Sequence, residues 1–245
     1  MKFGCGILAG ISTAGGVWLA MFLALVHGPA AAQASSSPAP APVSLTIAQP
    51  SIKAVEVILS AEEQAWVAAH PVLKVAATPD WPPFEYLSQE GEYAGITADL
   101  LRLLCARVGL QIEPVSGPWP VLYRKLQEGI LDLSPSMQPS PERAEHLLFT
   151  KPLLNFPHVI YTHEDAPEIP SLQALHSKRV AVEEGYYEEE YFRTHHPQIL
   201  LVPVSNSLQA LLKVANREVD AYVGNLAVGS YLIDANVFVQ AKNLH

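Results

Sequence analysis

The chain has 245 residues, of which 49% are hydrophobic, and this content is enough to bury the core of one or two domains. Disorder of the whole chain is therefore excluded. It carries 15 Lys and Arg against 24 Asp and Glu, which gives a formal net charge of -9, and it has no basic run. This balance argues against a nucleic-acid partner and against peripheral binding to anionic lipid.

The N-terminal segment has the pattern of an export signal. An apolar stretch covers residues 7–26, and the tripeptide AQA at residues 32–34 has the small-x-small form of a cleavage site. We therefore expect residues 1–34 to be a signal peptide that sends the rest of the chain to the periplasm. Because the apolar stretch has the ~20 residues that a membrane span needs, an uncleaved anchor is the alternative.

A linker is predicted to separate the signal from the folded part. Residues 35–59 include the run SSSPAPAPV, which is extended and has no packing face. A capping box of Ser60 and Glu63 then opens a helix, and the strand VLKVAA follows. Downstream, strand and helix patterns alternate, with further strands predicted at LQIEPV and ILDLSPSM. This alternation predicts an α/β fold with a parallel sheet.

Aromatic residues cluster directly after the strand VLKVAA. The sequence TPDWPPFEYL cannot continue the strand because of the paired prolines Pro82 and Pro83, so Trp81 and Phe84 are predicted to lie on a loop at the strand's carboxyl end. Open α/β sheets bind ligands at that edge. Phe84 is expected to be a core residue rather than a ligand contact.

The segment SPERAEHLLFTKP reads as a helix start with an unusual cation. Ser140 is predicted to cap the helix and Pro141 to take its first position, which places Arg143 in the first turn. The positive end of a helix disfavours a cation unless an anion is near. The anion is either a surface partner, Glu142 or Glu145, or an anionic ligand.

Several segments in order resemble bacterial solute-binding proteins of family 3, the polar amino acid binding type. They are WPPFEY, GEYAGITADLLRLLCARVG, VLYRKLQEGILDLSPSMQPSPERAEHLLFTKPLL, KRVAVEEGYYEEE and VDAYVGNLA, and they span most of residues 71–230. The resemblance implies a two-lobed Venus-flytrap fold, with lobe 1 at residues 60–160, lobe 2 at residues 161–245, and ligand enclosed between them. It also implies a return to lobe 1 after lobe 2, and the chain ends about where that return strand is expected.

The resemblance assigns roles to four residues of lobe 1. Arg143 is expected to bind the carboxylate of the ligand through its guanidinium fork. Trp81 and Trp119 are expected to sandwich the ligand, with core filling as the alternative. Ser136 is expected either to add a hydroxyl to the carboxylate site or to be only a turn residue.

In lobe 2 the residues depart from the family pattern. Asn225 stands where members that bind α-amino acids carry an acid, and an amide cannot neutralise an ammonium group. Tyr186 and Tyr187 follow Gly185 where small hydroxyl residues are usual, so they are expected to narrow the cleft or to offer phenol donors. We therefore predict a small carboxylate with a flat or neutral body, rather than a zwitterionic amino acid.

Two roles and one rival class follow from the resemblance. The segment LSAEEQAWVAAHP is similar to sensor domains that precede membrane-bound histidine kinases, so a kinase module is the expected partner; the alternative is a free receptor of an ABC permease. A flytrap-fold enzyme, such as a dehydratase or a cell-wall lyase, is the rival class. The glutamates of EEGYYEEEY are expected to form a solvated helix face, and no cofactor or metal motif is evident.

Overall fold

The computed structural model describes residues 3–6 and 57–242. Apart from residues 3–6 and 57–59, the predicted signal peptide and linker lie outside the described residues. In chain order the elements are β1 Phe3–Gly6, α1 Ala61–Ala69, β2 Val72–Ala77, β3 Asp80–Trp81, β4 Glu85–Leu87, β5 Tyr93–Ala94, α2 Ile96–Val108, β6 Gln111–Ser116, α3 Trp119–Gln127, α4 Pro141–Ala144, β7 His158–His163, β8 Arg179–Glu183, α5 Tyr187–His195, β9 Leu200–Val204, α6 Ser207–Ala215, β10 Ala221–Asn225 and α7 Leu226–Lys242.

The first sheet is parallel, as the alternation of strands and helices predicts. Strands β2 and β6 pair over their full length, from Val72 opposite Gln111 to Ala77 opposite Ser116. The predicted strand ILDLSPSM is reduced to a single parallel bridge between Val75 and Leu133. Pro135 within that segment and Pro139 two residues after it lack the backbone donors that a longer ladder would need.

A small antiparallel sheet replaces part of the predicted aromatic loop, because Trp81 lies in β3 and only Phe84 lies in the turn that follows it. Strands β3, β4 and β5 lie side by side in that order, and Gly95 follows directly after β5. Gly95 has φ +116°, and a Cβ built on it would lie 2.2 Å from the carbonyl oxygen of Phe84. Only glycine fits here, because the backbone after β5 crosses the backbone before β4 at contact distance.

The second sheet has the strand order β1-β7-β10-β8-β9. Strands β10, β8 and β9 run parallel, whereas β7 is antiparallel to both of its neighbours. We call residues 57–157 lobe 1 and residues 158–242 lobe 2, because β7 begins at residue 158 and belongs to this sheet. The boundary thus lies a few residues before the predicted one at residue 160. Strand β1 lies at the sheet edge, within the predicted signal peptide.

Two buried clusters form the core of lobe 2, one on each face of its sheet. One includes Tyr161, Tyr222 and Val228, and it extends to Phe84 of lobe 1, which is buried as predicted. The lobes therefore share apolar contacts beside the aromatic loop. Among the helices that the structure describes, none is long and apolar enough to cross a membrane.

Candidate functional site

Arg143 lies where the sequence predicts, in the first turn of α4. Ser140 caps this helix by accepting a hydrogen bond from the backbone N–H of Arg143 at 3.2 Å, and Pro141 takes the first helical position. The whole arginine is only 3% exposed. A buried guanidinium needs partners for its charge, so its contacts decide what the site can do.

The anion beside Arg143 is Glu190 of α5 in lobe 2. Arg143 Nε donates to Glu190 Oε2 at 3.2 Å, which makes an ion pair across the two lobes. Neither of the two surface partners considered from the sequence, Glu142 or Glu145, is this partner. Sequence spacing pointed to neighbours within one turn, whereas the structure brings in a residue 47 positions away.

The other guanidinium nitrogens of Arg143 donate to backbone carbonyls. Nη1 donates to the carbonyl oxygen of Gln138 at 3.1 Å, and Nη2 donates to that of Gly185 at 3.2 Å. The guanidinium carbon also lies 5.5 Å from the ring centroid of Tyr123, which adds a cation–π contact. Each nitrogen of the fork therefore already donates to an oxygen of the chain.

Gly185 connects lobe 2 to two predicted site residues of lobe 1. Its carbonyl oxygen accepts from Trp119 Nε1 at 2.8 Å as well as from Arg143, and its own N–H donates to Glu189 Oε2 at 2.7 Å. Gly185 has φ +73°, a conformation that side chains disfavour. The turn between β8 and α5 is thereby held against lobe 1.

Tyr186 lies beside Trp119 in the cleft. Their ring centroids are 6.0 Å apart at an interplanar angle of 72°, an edge-to-face contact, and Trp119 also stacks on Tyr123. Trp119 is buried and Tyr186 half-buried. A ring of lobe 2 therefore contacts the tryptophan that is expected to stack on ligand, and narrowing of the cleft by Tyr186 stays a prediction.

The remaining predicted site residues have other partners in the structure. Trp81 packs on Phe84 at 4.9 Å, and Tyr187 stacks on Tyr191 of its own helix at 5.8 Å. Ser136 donates a hydrogen bond to Thr97 Oγ1 at 3.2 Å. A ligand-binding role for these residues stays a prediction.

Asn225 caps the helix that follows it. Its Oδ1 accepts hydrogen bonds from the N–H groups of Ala227 at 2.9 Å and Val228 at 3.2 Å, at the start of α7. The side chain is also buried. This structural role is independent of the predicted discrimination against ammonium groups, which stays a prediction.

The expectation of a solvated glutamate face is wrong. Glu183, Glu188 and Glu189 are all buried, Glu190 is half-buried, and of this run only Glu184 is exposed. The reason is that the first turn of α5 points toward the cleft and the end of β8, where lobe 1 and the lobe 2 core cover it. A run of acids carried no sign of this burial in the sequence.

Burial changes the titration of the deepest glutamate in lobe 2. Removal from water, reinforced by the charge of Glu188, raises the pKa of Glu183 to about 7, although hydrogen bonds from Ser207 and Tyr222 oppose the rise. Those donors are 2.6 and 2.7 Å from Glu183 Oε1. Glu188 contacts Nδ1 of His158. Burial lowers the pKa of His158, but the hydrogen bond and charge of Glu188 outweigh this and raise it.

Lobe 1 contains a comparable group in Glu85. Burial raises the pKa of Glu85 to about 7, and hydrogen bonds from Tyr93, Ser136 and Thr78 oppose the rise. Each lobe therefore holds one glutamate that changes protonation near neutral pH. Neither glutamate is recognisable from the sequence, because a single glutamate at a strand end has no distinguishing spacing. Within the described residues, no group of three or more His, Cys, Asp or Glu side chains could hold a metal ion.

Comparisons with known proteins agree with this geometry. The sequence profile of the bacterial extracellular solute-binding proteins, family 3, matches residues 73–225. The chain belongs to this family. Its two lobes are those that the resemblance implied.

Relatives of this solute-binding chain include sensors and a transport receptor. Virulence sensor protein BvgS of Bordetella pertussis is 30% identical over 193 residues, which are 78% of this chain and 15% of BvgS. ABC transporter arginine-binding protein 1 of Escherichia coli is 26% identical over 163 residues, covering 66% of this chain and 65% of that protein. The chain thus spans a small part of the sensor's length.

A solved structure of a sensor domain is also similar to this chain. The periplasmic VFT2 domain of B. pertussis BvgS superposes with a TM-score of 0.62 at 31% identity, covering 72% of this chain and 76% of that domain. The family-3 chain described here therefore has the two-lobed periplasmic-binding-protein fold.

Proposed function

We propose that this chain is the periplasmic input domain of a signalling protein, and that it recognises a small carboxylate-containing solute between its lobes. The observation that carries this proposal is the position of Arg143. Its guanidinium belongs to lobe 1 but donates to Glu190 and Gly185 of lobe 2. Whatever anion occupies this fork therefore changes the free energy of lobe closure, which is how a ligand becomes a signal.

The sensory role is supported by the likeness to BvgS, and the ligand class by the chemistry of the site. A guanidinium is the side chain that recognises carboxylates in two parallel hydrogen bonds. Trp119 and Tyr186 form an apolar wall next to it, so the rest of the solute would be flat or neutral. We infer a binding role rather than catalysis, since the buried glutamates are tied to Tyr93, Tyr222, Ser207 and His158.

Calorimetry on the purified chain tests the ligand class. A panel of small monocarboxylates is compared with their neutral amides, first by melting temperature and then by titration of any compound that stabilises the chain. We expect at least one acid to bind and its amide not to bind. Arg143→Ala should weaken binding by about 2 to 5 kcal/mol if the ion pair is buried. The control is Arg124→Ala, which replaces an exposed arginine of α3. This variant should bind as the unmodified chain does.

Transport is the second candidate, because the E. coli arginine-binding protein is a receptor of that kind. Uptake of the identified solute is measured in cells with and without the gene, together with the transcripts that respond to the solute. If the chain is a sensor, deleting its gene leaves uptake of the solute unchanged and abolishes the transcript response. Loss of uptake with an intact response would replace the sensory proposal by transport.

A further inference from the structure

The positions expected for a bound solute are filled by residues of lobe 2. Glu190 places a carboxylate on Arg143, and Tyr186 places a ring against Trp119. The two residues lie at the start of the same helix α5, four positions apart, so they approach lobe 1 together. The predicted ligand is a small carboxylate with a flat or neutral body. Glu190 and Tyr186 together present a carboxylate and a flat ring of this kind.

We propose that Glu190 and Tyr186 form an internal ligand for the subsite of Arg143 and Trp119, so that a solute carboxylate that binds the Nε edge of the guanidinium displaces Glu190. This inference rests on the proposed function, since it concerns the same guanidinium. It adds a competitor within the chain, and it makes Glu190 the residue that sets the affinity of the site.

The contacts of the guanidinium support displacement rather than joint binding. Its Nε, Nη1 and Nη2 each donate to an oxygen of the chain, two of which belong to lobe 2. A bidentate carboxylate needs two parallel N–H groups on one edge of the fork. Glu190 occupies the Nε end of one such edge, so a solute carboxylate that binds this edge must first remove Glu190 from Nε.

The exposure of the ion pair indicates that Glu190 can exchange with water. The side chain of Arg143 is 3% exposed, whereas that of Glu190 is 24% exposed. The arginine is enclosed, and a buried cation without an anion is strongly unfavourable. The carboxylate at the rim reaches water and can exchange. Closed lobes therefore require an anion on Arg143, and that anion is either Glu190 or the solute.

Chemical rescue tests the proposal directly. Removing the carboxylate in Glu190→Ala should open the cleft, so that amide hydrogen exchange in residues 136–145 and 183–190 becomes faster on the order of tenfold. Sodium acetate should then restore slow exchange and raise the melting temperature of Glu190→Ala, while the unmodified chain responds little because its own carboxylate competes. Sodium chloride at equal ionic strength separates a specific effect from screening.

Matched variants make the result decisive. Glu142→Ala removes an exposed carboxylate from the helix that carries Arg143 and should neither open the cleft nor respond to acetate. The double variant Arg143→Ala/Glu190→Ala should lose the acetate response. If Glu190→Ala does not fold, Glu190→Gln, which keeps the shape of the side chain, replaces it in every comparison.

Failure of this inference differs from failure of the proposed function. If Glu190→Ala keeps slow exchange and the same acetate response as the unmodified chain, the internal ligand is excluded even when a solute binds through Arg143. If neither the unmodified chain nor Glu190→Ala binds any carboxylate in an Arg143-dependent way, both proposals are rejected.

Discussion

Tyr93 donates its hydroxyl hydrogen to Glu85 Oε2 at 2.8 Å, and both side chains are buried in lobe 1. Lobe 2 has the same relationship between Tyr222 and Glu183, at 2.7 Å. Each lobe therefore holds a buried glutamate with a tyrosine donor, and neither glutamate has an arginine or lysine as its hydrogen-bond partner among the contacts of the described residues.

The stability of the chain should fall as pH rises from about 4.5 to about 7. Burial raises the pKa of Glu85 and of Glu183 from 4.5 to about 7, so in this interval the folded state holds protons that the unfolded state has released. The contribution of His158 has the same sign, because its raised pKa means that stability present at low pH is lost as it deprotonates. Urea unfolding at a series of pH values measures the slope.

Glutamine at either position should reduce that slope. Glu85→Gln or Glu183→Gln keeps an acceptor for the tyrosine but removes the charge, so at pH 8 each should raise the free energy of unfolding by up to roughly 3 kcal/mol. Glu113→Gln, at an exposed position, is the control and should leave the slope unchanged. A stability that rises with pH in the unmodified chain, and that neither variant alters, would contradict the burial argument.

Gly95→Ala should destabilise lobe 1 severely. The added Cβ would lie 2.2 Å from the carbonyl oxygen of Phe84, at a φ of +116° that side chains rarely adopt. We expect a loss of several kcal/mol, on the order of 3 to 5, from backbone displacement. Gly91→Ala is the control, because Gly91 also has positive φ but nothing lies within 4 Å of a Cβ built on it. This variant should lose only about 1 kcal/mol of the free energy of unfolding. Equal losses in the two variants would argue against the backbone crossing.

Asn225→Asp should keep the fold while it tests specificity. Aspartate can accept the same two hydrogen bonds at the start of α7, so the melting temperature should change little, whereas Asn225→Ala should lose about 1 to 2 kcal/mol of capping. If Asn225 excludes ammonium groups, the aspartate variant should bind α-amino acids better relative to plain carboxylates. An unmodified chain that already prefers an amino acid in calorimetry would overturn the specificity prediction.

Local features of the fold were predictable because short-range chemistry determines them. The capping box of Ser60 and Glu63 is present with both of its hydrogen bonds, and Ser140 caps the helix of Arg143 as expected. Phe84 is buried as predicted. Each of these depends on residues a few positions apart, where spacing and backbone preference decide the outcome.

The contents of the cleft were not predictable from spacing. Glu190 and Arg143 meet because two lobes approach each other, and no periodicity within α5 encodes that contact. The run of glutamates has the composition of a solvated surface, so burial of three of them depends on tertiary packing alone. An anion lies beside Arg143, but it is a carboxylate of the other lobe, which neither of the two predicted alternatives named.

An internal ligand also sets a concentration scale. Because Glu190 is tethered to the same chain, its local concentration near Arg143 is fixed by geometry, typically in the millimolar range for short flexible tethers and higher when the tether is ordered. A solute occupies the fork only when its concentration, multiplied by its affinity relative to that of Glu190, exceeds this local concentration. Changes in α5 that reposition Glu190 would therefore shift the response threshold of the domain without altering any residue that touches the solute.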